Sequence, residues 1–316
     1  MCINNSINWI GIVISNFLSK KDLEKKLNQK KNKLIWNNSK SKLSKEQIIN
    51  KFKNCNFIIA GTETYDYEVL SALEKLVCII RIGVGTENID LSYAKQRNIK
   101  IFTTKELLSN SVAELIVYHI LFLSRNMMRV YESHKPKWIR SYGNLIYGKN
   151  IGLIGFGNIG KKIYEILLPF KPNNFLIYDK KKIINPKRSK KKIVGNLKQI
   201  FQFSDIICIN LPLTNNTRSI IDLKLLNYSK KNLILVNTSR AEIINKDDLM
   251  TFLKKNRNVK IGQDVFYNEP GYDCFPNFEN VSYSSHIGSY TIEARSNMEL
   301  EAINILIKNF KLKKLK

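Results

Sequence analysis

The sequence predicts an α/β protein built from parallel β-sheets. Two observations predict this class. Short apolar runs alternate with helical patterns along almost the whole chain, and one run leads into a glycine-rich turn followed by an amphipathic helix. That turn, GFGNIG at residues 155–160, has the G-x-G-x-x-G spacing typical of a dinucleotide site. A length of 316 residues allows two domains, each with its own hydrophobic core.

The predicted elements follow one another in a regular order. Before the turn, the pattern predicts strands at residues 9–15, 34–37, 57–61, 76–81 and 100–102. The helices between them are predicted at 22–29, 45–53, 67–73 and 91–97. A long apolar helix is predicted at 111–130, and later strands at 151–154, 174–179, 192–194, 205–210, 232–237, 259–264 and 281–284. A final helix is predicted at 291–310, and the pattern does not decide to which of the two domains it belongs.

The three glycines of the turn serve different purposes in a dinucleotide site. Gly155 permits the tight turn, Gly157 lets the backbone approach a pyrophosphate, and Gly160 allows the helix to pack closely on the strand. Asp179 ends the next apolar run, 24 residues after Gly155, where a ribose-binding carboxylate is expected. A glycine-rich turn alone also occurs for packing reasons, but the two features together favour dinucleotide binding. Asp179 favours NAD over NADP, because a carboxylate repels a 2′-phosphate, although the basic segment at 180–192 weakens that preference.

The composition indicates a globular protein with a large excess of basic residues. The net charge of +26 has two interpretations, a nucleic-acid or anionic-membrane partner, or compositional drift towards Lys, Asn and Ile. We favour drift, because the lysines recur along the chain and do not gather on one motif. The five cysteines are widely spaced without a C-x-x-C pair, which argues for reduced thiols and against a metal site. Without a signal peptide or a span-length apolar stretch, we expect a soluble cytoplasmic protein with neither a membrane nor a nucleic acid as partner.

Three polar side chains come shortly after predicted strands of the dinucleotide unit: Arg240, Glu269 and His286. Ligands of parallel α/β sheets bind outside the carboxyl ends of the strands, so these residues are candidates for chemistry. A guanidinium can clamp a carboxylate with two hydrogen bonds, and an imidazole can exchange a proton with a carbonyl oxygen. A carboxylate beside the imidazole favours its charged form. Each residue alone is most often an ordinary loop residue, but together they form a candidate carbonyl-reducing set.

The long helix predicted at 111–130 carries a histidine on its apolar face. His119 shares this face with aliphatic side chains, so we interpret it as a packed structural histidine and not as a functional one. A helix this long and this apolar is typical of a domain bridge or a subunit contact.

Several ordered motifs resemble the D-isomer-specific 2-hydroxyacid dehydrogenase family, and most closely its phosphoglycerate-dehydrogenase-like branch. The motifs lie at residues 81–91, 111–114, 155–160, 211–214, 237–240, 264–266, 269–270 and 286–288. The resemblance implies two Rossmann-like domains. A flavodoxin-like substrate domain would comprise residues 1–107 and 289–316, and an NAD-binding doubly wound parallel sheet would comprise 108–288. It also implies a homodimer formed through the dinucleotide domain.

The resemblance also implies roles for individual residues. The catalytic residues would be Arg240, Glu269 and His286. The residues that contact the cofactor would be Gly155, Gly157, Asn158, Ile159, Gly160, Asp179, Thr238 and Asp264. The substrate would be held by Arg81 and by the segment of Gly83, Val84 and Gly85, whose backbone N–H groups would face its carboxylate.

The chain departs from the family pattern at three places. Residues 60–63 read AGTE where phosphoglycerate enzymes often carry a phosphate-binding arginine, which argues against 3-phosphoglycerate as substrate. Ala241 stands where the family usually has glycine, and its Cβ would strain a turn that needs positive φ. Ser285 replaces the usual proline before His286, with a mild effect expected.

Two functions from different classes follow. The leading hypothesis is an NAD-dependent oxidoreductase that interconverts a small-molecule D-2-hydroxy acid and its 2-keto acid, with 3-phosphoglycerate and 3-phosphohydroxypyruvate as one candidate pair. The alternative is an NAD-sensing regulatory protein of the same fold without turnover, similar to a transcriptional corepressor. The complete set of Arg240, Glu269 and His286 favours the enzyme, because a pure binding module has no use for it.

Overall fold

The structure is a computed structural model that divides into two compact units. One unit consists of Met1–Leu108 with Thr291–Lys316, and the other of Ser109–Tyr290. The described residues are 7–27, 32–39, 41–104, 108–128, 140–180, 191–193, 195–269, 271–272, 275 and 278–310. The final helix, which the sequence pattern left unassigned, therefore groups with the first unit.

The elements alternate between strands and helices along the chain. The strands are β1 (Asn8–Ile12), β2 (Asn32–Trp36), β3 (Phe57–Ala60), β4 (Cys78–Arg81), β5 (Lys100–Thr103), β6 (Asn150–Ile154), β7 (Asn174–Tyr178), β8 (Lys191–Ile193), β9 (Ile206–Ile209), β10 (Ile234–Asn237), β11 (Lys260–Gln263) and β12 (Val281–Tyr283). The α-helices are α1 (Lys20–Lys26), α2 (Lys45–Phe52), α3 (Tyr67–Ala72), α4 (Leu91–Gln96), α5 (Leu108–Ser124), α6 (Asn158–Leu167), α7 (Leu197–Phe203), α8 (Leu223–Leu226), α9 (Lys246–Lys255) and α10 (Ile292–Phe310).

The first unit is built on a parallel sheet with a hydrophobic core on each face. Within the described residues its strand order is β2-β1-β3-β4-β5, the order of flavodoxin-like folds. Successive side chains of a strand point to opposite faces, so Phe57 and Ile59 join one core while Ile58 and Ala60 join the other. Buried side chains of α10, among them Met298, complete the first of these cores.

The second unit is a doubly wound parallel sheet. Across its described strands the order is β12-β11-β10-β9-β6-β7-β8. The chain starts in the middle at β6, runs outward to β8, and then returns to β9 on the other side of β6. Ligands of open α/β sheets bind at the point where the strand order reverses, which here lies between β6 and β9. The predicted fold class, two Rossmann-like parallel sheets, is confirmed.

The predicted strands match the observed ones to within a few residues, but the long helix ends earlier than expected. It was predicted at 111–130, and α5 ends at Ser124. Asn126, just beyond, has a left-handed φ of 53°, a conformation in which asparagine commonly ends a helix. Residues 129–130 of that prediction and most of the basic segment at 180–192 lie outside the described residues. Among the residues that are described, no helix is both long and apolar enough to cross a membrane.

Candidate functional site

The second unit brings the ends of five strands to one edge. Five residues are register partners in a row across the sheet: Ile154, Ile209, Asn237, Gln263 and Tyr283. Directly after this row come Gly155, Asn210, Thr238, Asp264 and Ser284. The glycine turn and the loops that carry the three candidate catalytic residues therefore leave the sheet from the same edge, as the sequence predicted.

The glycine turn after β6 is shaped for close backbone packing. Gly155 has a φ of 94°, and a Cβ there would lie 2.7 Å from the carbonyl oxygen of Asn210. A Cβ on Gly160 would lie 2.4 Å from the carbonyl oxygen of Gly155, so helix and strand pack too closely for any side chain. A Cβ on Gly157, in contrast, would meet nothing within 4 Å. Gly157 is the N-cap of α6 and supplies no side-chain cap, which leaves the helix N-terminus suited to a phosphate group.

The residues around this turn fit a dinucleotide. Asp179 follows β7 at intermediate exposure, and its Oδ2 accepts a hydrogen bond of 2.7 Å from the backbone N–H of Phe156. This bond ties the turn to the strand beside it. Asn158 is exposed and Ile159 half-buried in the first turn of α6, and Thr238 is half-buried after β10. Within the described structure, Oδ1 of Asn210 is buried at the switch point without a hydrogen-bond partner, so a ligand donor there would satisfy it.

His286 and Glu269 form a pair at this edge. Nδ1 of His286 lies 2.6 Å from Oε2 of Glu269, and Oε1 of Glu269 accepts a hydrogen bond of 3.0 Å from the N–H of Phe266. Burial by itself raises the pKa of Glu269, but the hydrogen bond and charge of His286, the Phe266 N–H and the charge of Arg240 together lower it. The side chains of His286 and Glu269 are 39% and 36% exposed, so the pair remains accessible.

Arg240 is held by a buried asparagine at the end of β10. Nδ2 of Asn237 donates to the carbonyl oxygen of Arg240 at 3.0 Å, and its Oδ1 accepts from both the N–H and the hydroxyl of Ser239. Nη1 of Arg240 donates to the carbonyl oxygen of Ser239 at 2.7 Å. Ala241 begins a 3₁₀ turn, is buried, and is not among the described residues with positive φ. The strain expected from alanine at this position is therefore absent.

The loop that carries His286 has an unusual backbone and a buried anchor. His286 adopts a left-handed φ of 53°. The two N–H groups that follow, those of Ile287 and Gly288, donate to the two carboxylate oxygens of Asp264 at 2.9 Å each. Ser285, where a proline was expected, lies with its hydroxyl 2.5 Å from the hydroxyl of Tyr272, a contact that fixes the loop from the outside.

Asp264, which was predicted to contact the cofactor, anchors the loop of His286. Its side chain is fully buried, and it also accepts a hydrogen bond from the hydroxyl of Ser284 at 2.5 Å. Burial raises its pKa, and the hydrogen bonds from Ser284, Ile287 and Gly288 offset only part of that effect. Asp264 therefore fixes the loop that carries His286, and its contact with the cofactor stays a prediction.

The predicted substrate segment of the first unit is partly committed to internal contacts. Nη1 of Arg81 donates to the carbonyl oxygen of Ile82 at 2.5 Å, and the N–H of Gly83 donates to the hydroxyl of Thr104 at 2.9 Å. Gly83 has a φ of 117°, and a Cβ there would lie 1.7 Å from Nη1 of Arg81. Within the described residues, the N–H groups of Val84 and Gly85 have no hydrogen-bond partner. They are the amides of this segment that remain open to a further hydrogen bond.

No other chemistry is indicated in the part of the chain that the structure describes. It contains no group of three His, Cys, Asp or Glu side chains suited to a metal ion. Cys55, Cys78 and Cys208 are free and buried, and burial raises the pKa of each thiol to about 12, so they are unreactive near neutral pH.

The fold and the site together define a class, the dinucleotide-dependent dehydrogenases of the doubly wound α/β type. Residues 117–288 match the family described as "D-isomer specific 2-hydroxyacid dehydrogenase, NAD binding domain". The chain is 31% identical over 274 residues to the hydroxypyruvate reductase of Thermotoga maritima, with 84% of this chain and 88% of that protein covered. It is 30% identical over 288 residues to the glyoxylate reductase of Pyrococcus horikoshii, with 86% and 85% covered.

A solved structure agrees with these matches. The NAD⁺-bound 3-phosphoglycerate dehydrogenase of Entamoeba histolytica superimposes with a TM-score of 0.82 at 23% identity, covering 98% of this chain and 99% of that one, which shows the shared fold. The chain belongs to the D-isomer-specific 2-hydroxyacid dehydrogenase family and is an NAD-dependent oxidoreductase of 2-hydroxy acids. The predicted family, activity class and cofactor are thereby confirmed.

Proposed function

We propose that Arg240, Glu269 and His286 catalyse the reversible reduction of a small 2-keto acid to its D-2-hydroxy acid. The observation that carries this proposal is the His286–Glu269 hydrogen bond of 2.6 Å at the sheet edge where the glycine turn also emerges. Bound NAD supplies or accepts the hydride. His286 donates a proton to the substrate oxygen during reduction, and Glu269 holds its ring in place.

Arg240 orients the substrate in this proposal. A guanidinium binds a carboxylate through two parallel hydrogen bonds and polarises the adjacent carbonyl, which places the reacting carbon and favours negative charge on its oxygen. In the first unit, the N–H groups of Val84 and Gly85 are the proposed substrate contacts, because the N–H of Gly83 and the side chain of Arg81 have internal partners.

The structure favours substrates without a phosphate group. Glu63, just after β3, is buried, and its Oε2 accepts the N–H of Gly61 at 3.0 Å. Burial raises the pKa of Glu63, while the charges of Lys42 and Arg81 are among the effects that lower it. An acidic group beside Arg81 weakens the attraction of this segment for a phosphate. Glyoxylate and hydroxypyruvate, the substrates named for the two relatives above, are therefore preferred to 3-phosphohydroxypyruvate as candidates.

A keto-acid screen tests this function. NADH oxidation is measured with glyoxylate, hydroxypyruvate, pyruvate and 3-phosphohydroxypyruvate, and we expect a higher kcat/KM for an unphosphorylated acid. A preference for 3-phosphohydroxypyruvate would contradict the substrate assignment but not the reaction. NAD binding without turnover of any acid would favour the regulatory alternative.

NADH is expected to serve better than NADPH. Asp179 directly follows β7 beside the glycine turn, where its carboxylate suits the ribose hydroxyls of NAD and repels a 2′-phosphate. The comparison of kcat/KM for NADH and NADPH, in the parent and in Asp179→Ala, measures this preference. A parent that prefers NADPH would contradict the role of Asp179.

We further propose a homodimer formed through the second unit. Several large apolar side chains of this unit are exposed, namely Tyr118, Leu121, Tyr142, Leu145 and Tyr147. Sedimentation analysis of the parent is expected to give a dimer, Tyr118→Glu a monomer, and the control Tyr67→Glu, on an exposed tyrosine of the first unit, a dimer. A monomeric parent would contradict the proposal.

A cytoplasmic location is also proposed, in line with the free thiols of Cys55, Cys78 and Cys208. Fractionation of cells that express the tagged chain tests this location. Recovery of the chain in an extracellular or membrane fraction would contradict it.

A further inference from the structure

A series of hydrogen-bonded, buried polar groups leads from α5 to the loop of His286. The ring of His119 is fully buried, with Nδ1 3.1 Å from the hydroxyl of Ser282 and Nε2 3.2 Å from the hydroxyl of Ser284. The hydroxyl of Ser284 in turn lies 2.5 Å from Oδ1 of Asp264. This series of polar groups ends at the carboxylate of Asp264, which accepts hydrogen bonds from the two N–H groups after His286.

The donors and acceptors in this series of polar groups fix one proton of His119. An ionised Asp264 only accepts hydrogen bonds, so the single hydroxyl proton of Ser284 is donated to it. Ser284 must then accept its second bond from an Nε2–H group of His119. Burial lowers the pKa of His119 to about 4, so the ring is neutral near pH 7, and its unprotonated Nδ1 accepts the hydroxyl proton of Ser282.

We propose that His119 is a positioning residue for the reaction: through Ser284 and Asp264 it fixes the backbone that holds His286 in place. This inference rests on the proposed role of His286. It assigns a function to a histidine that sequence analysis treats as part of the core, and it requires no contact between His119 and the substrate.

The backbone of His286 explains why such support matters. A non-glycine residue with left-handed φ is strained by about 1 kcal/mol or more, so neighbouring interactions must hold it there. The N–H groups of Ile287 and Gly288 provide this hold only while Asp264 keeps its orientation, and Ser284 fixes one of its oxygens. A small displacement of an imidazole from its productive geometry lowers the rate of proton transfer, while Arg240 retains its contacts.

Two serines that contact the same ring provide a matched pair of variants. Ser284→Ala removes the link between His119 and Asp264. Ser282→Ala removes a hydrogen bond from the other ring nitrogen and leaves that link intact. We expect Ser284→Ala to lower kcat about tenfold, the effect of losing one hydrogen bond to a charged group, with KM for the keto acid unchanged. Ser282→Ala is expected to keep the parental kcat.

The histidine itself provides a second pair. His119→Leu removes both ring hydrogen bonds and is expected to lower kcat as Ser284→Ala does. His119→Gln retains an amide N–H that can reach Ser284, so part of the lost kcat is expected to return. The free energy of unfolding is measured for every variant, because a merely structural role would make kcat follow stability in all of them. If His119→Leu fails to fold, the serine pair alone decides.

The outcomes separate this inference from the proposed function. A parental kcat in Ser284→Ala, or equal losses of kcat in Ser284→Ala and Ser282→Ala, would overturn the positioning role. His286→Asn is assayed beside them. Its inactivity together with a fully active Ser284→Ala removes only the inference about His119, whereas an active His286→Asn removes the proposed mechanism itself.

Discussion

Nδ1 of His286 and Oε2 of Glu269 lie 2.6 Å apart, while the other oxygen of Glu269 accepts the N–H of Phe266. The carboxylate is thus fixed at both oxygens, and it in turn fixes the plane of the imidazole. Nδ1 faces Glu269, so Nε2 is the ring nitrogen left to exchange a proton with substrate.

Replacing Glu269 with glutamine is expected to lower kcat/KM for keto-acid reduction about tenfold at neutral pH, the effect of weakening one hydrogen bond to a charged group. The pKa of Glu269 is lowered from its ordinary value of 4.5, so its carboxylate is ionised throughout the neutral range and accepts a hydrogen bond from Nδ1 of His286. Glutamine has the same shape but no charge, so it holds the ring of His286 less firmly. Steady-state kinetics at pH 7 measure the loss. Glu165→Gln, on the surface of α6, is the control, and a parental kcat/KM in Glu269→Gln would contradict the role of Glu269.

Arg240→Lys is expected to lose most of its activity, by roughly two orders of magnitude in kcat/KM. Lysine keeps the positive charge but cannot make two parallel hydrogen bonds to a carboxylate. The matched control is Arg218→Lys, because Arg218 is exposed on the loop after β9. Steady-state kinetics of both variants decide the matter, and near-parental turnover in Arg240→Lys would remove Arg240 from the mechanism.

Alanine substitutions at two glycines of the turn are expected to distinguish an effect on folding from an effect on cofactor binding. A Cβ on Gly160 meets the backbone oxygen of Gly155 at 2.4 Å, so Gly160→Ala should destabilise the second unit and abolish NAD binding together. A Cβ on Gly157 meets nothing within 4 Å, and its φ of −73° suits alanine. Gly157→Ala should therefore keep parental stability and still bind NAD more weakly, because its methyl group obstructs the approach of the pyrophosphate.

Thermal unfolding and calorimetric titration with NAD measure these two effects. Gly195→Ala is the control, because a Cβ there also meets nothing within 4 Å and the residue lies outside the turn. Parental NAD affinity in Gly157→Ala would contradict the placement of the pyrophosphate at this helix N-terminus.

Local sequence patterns predicted those features of the structure that depend on residues close together in the sequence. The strands follow from short apolar runs, and the shared edge of the second sheet follows from the parallel order of those strands. Arg240, Glu269 and His286 were found because each comes soon after a strand of that sheet. The short helix α8, in contrast, has no clear periodicity over its four residues and was not predicted.

Contacts between distant segments were beyond such patterns. His119 and Ser284 are 165 positions apart, and nothing near either residue indicates that they share a hydrogen bond. The same applies to Gly83, whose N–H donates to the hydroxyl of Thr104, the residue directly after the neighbouring strand β5. Asp264 was assigned to the cofactor by the resemblance to the family, but its burial depends on packing that no local spacing reveals.

The stability of the protein is expected to fall in mild acid because of His119. Its pKa is lowered from 6.5 to about 4 in the folded chain, so below pH 6.5 the unfolded chain binds the proton more readily. The contribution of the neutral His119 to the free energy of unfolding is complete above pH 6.5. It is lost as the pH falls towards 4, by ~3 kcal/mol in total. Burial raises the pKa values of Glu63, Asp264 and Glu299, which has the opposite effect on stability in acid.

A comparison of the parent with His119→Leu isolates the contribution of His119 to stability. Urea unfolding at pH 7.5, 5.5 and 4.5 gives the free energy of unfolding of both proteins, and the buried carboxyl groups contribute equally to each. His119→Leu loses two hydrogen bonds and should be less stable at pH 7.5, but its disadvantage should shrink steadily as the pH falls, because leucine has no proton to bind. A disadvantage that stays constant from pH 7.5 to 4.5 would mean that His119 titrates alike in the folded and unfolded chains, which is incompatible with a neutral ring buried between two serine hydroxyls.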